Sequence, residues 1–131
     1  MAVIKVTNSK GKINNVINYI TNKEKTDQKL ISGKDCRAES ALEEMQITKE
    51  QFNKTNGRQY IHFVQSFKPD EIKDFNKGHE IGKEWAEQNF KGHEVLIATH
   101  LDKKHIHNHF IVNSVNFENG HKFNQSKSQL Q

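Results

Sequence analysis

Three histidines at alternate positions, His105, His107 and His109, follow a fourth, His100, in the segment His100-Leu-Asp-Lys-Lys-His105-Ile-His107-Asn-His109. Alternate side chains of a β-strand share a face. His105, His107 and His109 are therefore expected on one side, with Ile106, Phe110 and Val112 turned to a core. His100 closes the preceding apolar run, and a short hairpin would return it beside them. Neutral imidazoles gathered from two paired strands form a half-shell for a divalent ion and leave positions open for substrate. They add no charge, so such an ion keeps its own for polarising a phosphate. No cysteine is at hand to close the site, which points to hydrolysis or group transfer rather than a structural centre. A surface strand can carry histidines by chance, but three in alternation, with His100 and Asp102 alongside, favour a metal site.

The second group able to do chemistry is Tyr19. Ile13, Val16, Ile17 and Ile20 recur at helical spacing and predict an amphipathic helix over residues 12–22. At 100° per residue the tyrosine falls roughly 110° from the centre of that stripe. Its hydroxyl is then free to reach a neighbouring site. A phenol with an ordinary pKa of about 10 is a poor nucleophile unless its deprotonation is assisted. Taken alone, Tyr19 reads as a residue covering the rim of a core; it gains meaning from the histidines.

The elements that must position these groups can be read in outline. Residues 2–6 alternate as a short strand, residues 23–35 read as a polar surface loop, and Ala38, Ala41, Leu42 and Met45 mark a second helix. Residues 59–67 form a β-branched and aromatic strand that Pro69 ends. Pro69-Asp70-Glu71 then suits the first turn of a third helix reaching about residue 89. Gly78 and Gly82 lie on the buried side of that helix and would admit a close neighbour. Residues 94–99 and 106–115 are the clearest strands, expected to pair as an antiparallel hairpin. The order strand, helix, loop, helix, strand, helix, strand, strand predicts an α+β fold, a central antiparallel sheet with helices packed on it.

Composition bounds the function without naming it. The 131 residues make one domain, residues 1–131, in which residues 121–131 read as a polar tail where a longer chain is cut. Hydrophobic residues are 33% of the chain and mean hydropathy is −0.91, so the core must come from a few well-patterned segments. A formal charge of +4 and a pI near 9.1 suit a polyanionic partner. The single Cys36 excludes an internal disulfide and fits a reducing, cytoplasmic setting. No apolar run reaches the roughly 18 residues of a membrane span, so no membrane insertion is expected.

Tyr19-Ile-Thr-Asn-Lys-Glu-Lys-Thr26 and Thr99-His100-Leu-Asp102-Lys-Lys-His105-Ile-His107-Asn-His109 together resemble two motifs of the relaxases, the mobilisation branch of the HUH endonucleases. A weaker middle motif resembles His62-Phe-Val-Gln-Ser66-Phe-Lys-Pro-Asp-Glu71, and the likeness runs from residue 1 to about 127. The resemblance implies the N-terminal catalytic domain of a plasmid or conjugative-transposon relaxase, a two-layer sandwich with its helices on one face of the sheet. The family's ligand spacing, a leading histidine and two more seven and nine positions on, selects His100, His107 and His109. It ranks His105 as a fourth member or a spectator.

Tyr19 is then the nucleophile of a metal-dependent transesterification that nicks single-stranded DNA at an origin of transfer, leaving a 5′-phosphotyrosine and a 3′ hydroxyl. Three histidines admit Mn, Zn, Ni or Co by ligand type, and phosphate chemistry tilts the choice to Mn or Mg. Asp102 is expected to orient a ligand imidazole. Ser66 is expected at the DNA backbone or in the network around the metal, and Lys23, Lys25, Lys103 and Lys104 suit phosphate contacts. His62 and Tyr60 carry no assignment. Accessory mobilisation proteins and a coupling protein are the implied partners. The rival readings are a rolling-circle replication initiator of the same chemistry, a non-catalytic DNA-binding module, and a metal hydrolase using water.

Overall fold

Every residue of Val95–His100 is buried, and so is all but the first of His107–Asn113. Strands covered on both faces belong at the centre of a sheet, and there the computed structural model, which describes residues 2–7, 11–100 and 105–123, places them. In chain order the elements are β1 (Val3–Val6), α1 (Ile13–Ile20), β2 (Ile31–Lys34), α2 (Ala41–Gln51), β3 (Tyr60–Ser66), α3 (Phe75–Asn89), β4 (Val95–His100) and β5 (His107–Asn113). The five strands form one sheet in the order β1-β3-β5-β4-β2, and each neighbouring pair is antiparallel.

The alternation of side chains along the central strands divides the core in two. On one face Ile61, Phe63, Val95, Ile97, Phe110 and Val112 pack with Trp85, Ala86 and Phe90 of the α3 region. On the other, Tyr60, Leu96, Ala98 and Ile111 pack with Ile20 of α1 and with Ala41 and Met45 of α2. The α+β class, the central antiparallel sheet and the β4–β5 hairpin are as the sequence predicts. The layering is different: the helices take both faces rather than one, because both faces of β3, β4 and β5 carry apolar side chains that must leave water.

Two boundaries also differ. The expected loop over residues 23–35 contains β2, an edge strand whose Ile-Ser-Gly-Lys sequence has little alternation and which exists by pairing with β4. The third helix starts at Phe75, not at Pro69, because Asp74 accepts a hydrogen bond from Asn76 N (2.9 Å) and caps the first turn. Gly78 and Gly82 do admit a close neighbour. A β-carbon at Gly78 would lie 2.9 Å from Ile106 Cγ2, and one at Gly82 2.6 Å from Asn108 Nδ2. Among the described residues no helix is long and apolar enough to cross a membrane.

Candidate active site

Strand register brings the histidines together. His107 lies opposite His100 on β4 and opposite Ser66 on β3, so one row of side chains runs Ser66, His107, His100 across three strands. The next row on the same face is Val64, His109, Ala98. His62 stands one row further, opposite Ile111 and diagonal to His109. The His100 and His109 rings are 4.0 Å apart between centroids, and those of His107 and His109 6.5 Å.

Tyr19 hangs over this patch from the last turn of α1. The helix has only eight residues, four of them β-branched, and its N-cap Lys12 makes no side-chain hydrogen bond. Its own propensity is weak, so packing must hold it. Ile13, Val16, Ile17 and Ile20 supply that packing against the sheet and α2. Two further ties fix the end that carries Tyr19. The Nε2–H of His100 donates to Ile20 O at 3.0 Å, satisfying a carbonyl that the helix end leaves over. The Thr26 hydroxyl donates to Thr99 O at 2.6 Å. The phenol ring, 48% exposed, consequently sits 5.9 Å from the His100 ring and 6.2 Å from that of His109, edge-on to both. Lys25 Nζ lies 5.2 Å from the centre of the Tyr19 ring, a cation against its face.

The imidazoles are held as well as gathered. His62 Nε2 and His109 Nδ1 share a hydrogen bond of 2.9 Å, and both residues are buried. Burial lowers the His62 pKa to about 4, and the neighbouring His100 pushes the same way, so His62 is neutral at pH 7. Beneath the patch, on the α3 face, runs a buried polar chain. Ser32 Oγ meets His79 Nε2 (2.6 Å) and His79 Nδ1 meets Thr99 Oγ1 (2.8 Å). Thr99 Oγ1 donates to Asn108 Oδ1 (2.5 Å), and Asn108 Nδ2 donates to Gln65 Oε1 (2.9 Å) and Gly78 O (2.8 Å). Thr99, Asn108 and Gln65 adjoin His100, His107, His109 and Ser66 in sequence, so the chain fixes the backbone that bears the patch.

The expected site residues are therefore placed unevenly. Tyr19, His100, His107, His109 and Ser66 share one face, with Lys25 beside the tyrosine. His105 precedes β5, half-buried, its ring 4.6 Å from that of His107. Lys23 is exposed and lines a groove of about 440 Å³ with Ile17, Thr21, Thr26, Gln28 and Ile31. Asp102, Lys103 and Lys104 lie outside the described residues. His62, unassigned from sequence, is joined to the cluster; the period-two reading of β3 that puts it on the Ser66 face was the available signal.

The donor set suits a divalent ion in kind and number. His100 and His109 each have one ring nitrogen engaged by the protein, as metal-binding imidazoles commonly do. The rings do not converge on a point: among the described residues no group of three or more His, Cys, Asp or Glu side chains is placed to hold a metal ion.

Residues 19–131 match the nuclease domain of the MobA/VirD2-like relaxases. Two Staphylococcus aureus proteins named rlx are 39% and 34% identical to the chain over 98% and 99% of its length, and the match covers 38% of each of them. The group II intron-interrupted relaxase LtrB of Lactococcus lactis subsp. cremoris is 36% identical over 72% of the chain and 17% of its own length. No solved structure matches. The chain spans about four-tenths of the length of the rlx relatives. It belongs to the MobA/VirD2-like relaxase family and carries that family's nuclease domain.

Proposed function

We propose that this chain nicks single-stranded DNA at an origin of transfer by tyrosine transesterification, in the mobilisation of a plasmid or conjugative element. The observation that carries the reading is Tyr19: a half-exposed phenol, in a relaxase-family chain, fixed about 6 Å from the His100 and His109 rings. Tyr19 Oη attacks the scissile phosphorus. The bond from Oη to phosphorus forms as the bond from phosphorus to the 3′ oxygen breaks, and the phenol proton passes through solvent to the 3′ hydroxyl released. The 5′-phosphotyrosine keeps the energy of the broken ester, so the reverse attack rejoins a strand without ATP. Water as nucleophile would lose that energy.

His100, His107 and His109 would hold a divalent ion, Mn or Mg by the demands of phosphate chemistry. Such an ion supplies neutralisation of the charge that builds on the non-bridging oxygens. Ligation requires re-aiming the rings, which among the described residues do not converge on a point. The Lys25 ammonium beside Tyr19 attracts the phosphate. The groove by Lys23, lined also by Ile17 of α1 and by Thr21, offers room for nucleotides. Asp102 orienting a ligand ring, phosphate contacts from Lys103 and Lys104, and the accessory and coupling proteins remain parts of this proposal, as does a cytoplasmic setting.

The test is incubation of the chain with a single strand carrying the origin of transfer of its own element, plus Mn or Mg. A covalent protein–DNA band on a denaturing gel, abolished by EDTA, is the expected result. Cleavage that yields no adduct overturns the tyrosine mechanism in favour of water.

A further inference from the structure

We propose that the cavity at the far end of the β4–β5 hairpin, lined by His93, Asn116, Phe123, Lys91 and Lys122, binds a nucleotide and holds its base between His93 Nε2 and Asn116 Nδ2. The cavity lies where β4 begins and β5 ends, whereas the histidine patch lies where β4 ends and β5 begins. At about 3.3 Å per residue, the length of the hairpin puts roughly 20 Å between them. The cavity is therefore a second site, and it involves neither Tyr19 nor a metal ion. Its volume is about 200 Å³. At about 30 Å³ per water, that is room for a one- or two-ring heterocycle and not for a folded segment.

Two polar groups in the cavity keep capacity that the fold leaves over, and their directions are fixed. His93 is 7% exposed, and its Nδ1 lies 2.7 Å from Asn113 O. A carbonyl only accepts, so Nδ1 carries the proton and Nε2 the lone pair. Burial, with Lys34 pushing the same way, lowers the His93 pKa and keeps the ring neutral. Asn116 Oδ1 accepts from the backbone N–H groups of Glu118 (2.8 Å) and Asn119 (3.2 Å), which fixes the amide and turns Nδ2 away from the turn. Among the described residues, nothing is hydrogen-bonded to His93 Nε2 or to Asn116 Nδ2. The cavity thus favours an occupant that donates to His93 and accepts from Asn116. A nucleobase carries such a donor and acceptor side by side on its pairing edge. Phe123, edge-on to His93 at 5.3 Å between centroids, adds a ring on which a base can stack. The rim supplies charge. Lys122 Nζ is anchored by Asn56 O (2.6 Å) and Arg58 O (3.4 Å), Lys91 is exposed, and no Asp or Glu is among the described residues lining the cavity. The two ammonium groups suit the phosphate of a nucleotide. The imidazole lone pair suits its base, and that separates this site from a plain phosphate pocket.

The test is amide NMR of the metal-free chain titrated with dAMP, with deoxyribose 5-phosphate and with a short single strand of deoxyadenosines. With dAMP the amides of His93, Asn116 and Phe123 should shift, and those of Tyr19 and His109 should not. Deoxyribose 5-phosphate keeps the anion and lacks the base, so it should bind roughly tenfold or more weakly. Asn116→Asp keeps the acceptor of the turn and loses the donor, and should weaken dAMP by a similar factor. Lys91→Gln should cost a few-fold. Response to both dAMP and the strand shows that a free nucleotide suffices; response to the strand alone makes the ligand a nucleotide within DNA. The proposal is overturned if neither shifts these amides at up to about 10 mM. Equal binding of dAMP and deoxyribose 5-phosphate, or an Asn116→Asp that binds dAMP as the wild type does, overturns it too. Comparing the two small ligands on the wild type keeps the test decisive should Asn116→Asp fail to fold. Nicking plays no part in the readout, so this result stands apart from whether Tyr19 forms an adduct.

Discussion

The two faces of β5 are one residue apart in sequence and opposite in design. Asn108, Phe110 and Val112 point into a closed core, where the polar chain Ser32–His79–Thr99–Asn108–Gln65 is buried under α3. His107 and His109 point to a patch that α1 covers only in part, with a phenol at its border. A satisfied buried network rigidifies a backbone, whereas a reactive site must leave some polar capacity for its substrate. The comparison assigns stability to Asn108, Phe110 and Val112 on one face of β5 and the proposed chemistry to His107 and His109 at one end of the other, where Ile111 packs in the second core.

Breaking the closed face should cost most. Asn108→Leu strands Gly78 O, Gln65 and Thr99 in the core, and urea unfolding should show a loss of about 3–5 kcal/mol. A loss under about 1 kcal/mol would mean that the network contributes little.

Acid should come next, and it touches both faces. Burial lowers the pKa of His62 to about 4 and lowers those of His79 and His93 as well. Between those values and about 6.5 the unfolded chain binds protons that the folded chain refuses. Stability is therefore full above about pH 6.5 and falls as the pH drops towards 4, by on the order of 3 kcal/mol for His62 alone. Thermal unfolding from pH 7.5 to 4.5 checks this, and His62→Gln and His79→Gln should each flatten part of the profile.

Gly82→Ala sharpens the contrast on a smaller scale. The added methyl meets Asn108 Nδ2 at 2.6 Å, a clash of about 1–3 kcal/mol less about 1 kcal/mol regained in helix propensity. Combined with Asn108→Ala, the clash should largely vanish, so the two changes should not add. Smallest of all is Tyr19→Phe, which keeps the ring and should shift stability by less than about 0.5 kcal/mol.

Much of this was legible in sequence because it is local. The stripe Ile13, Val16, Ile17, Ile20 sets α1 and the angle of Tyr19; the alternation of His107 and His109 sets one face of β5; the spacing from His100 sets the hairpin. What escaped depends on residues far apart. β2 has no signature of its own and is made by β4. The contact of His62 with His109 spans 47 positions, and only strand register reveals it. The start of α3 lies later than the Pro69 turn implies, because Asp74 forms the cap. The placement of α3 opposite α1 was hidden because a strand buried on both faces does not say which helix takes which.

The chain has two tyrosines, and they divide along the same lines: Tyr19 is 48% exposed beside the histidines, and Tyr60 is 3% exposed in the core. Peptide mapping by mass spectrometry of the covalent DNA adduct tests the central claim most directly. The phosphodiester should be found on Tyr19 alone, with Tyr60→Phe still forming the adduct and Tyr19→Phe forming none while remaining folded. An adduct on any other residue, or undiminished strand cleavage by Tyr19→Phe, would contradict it.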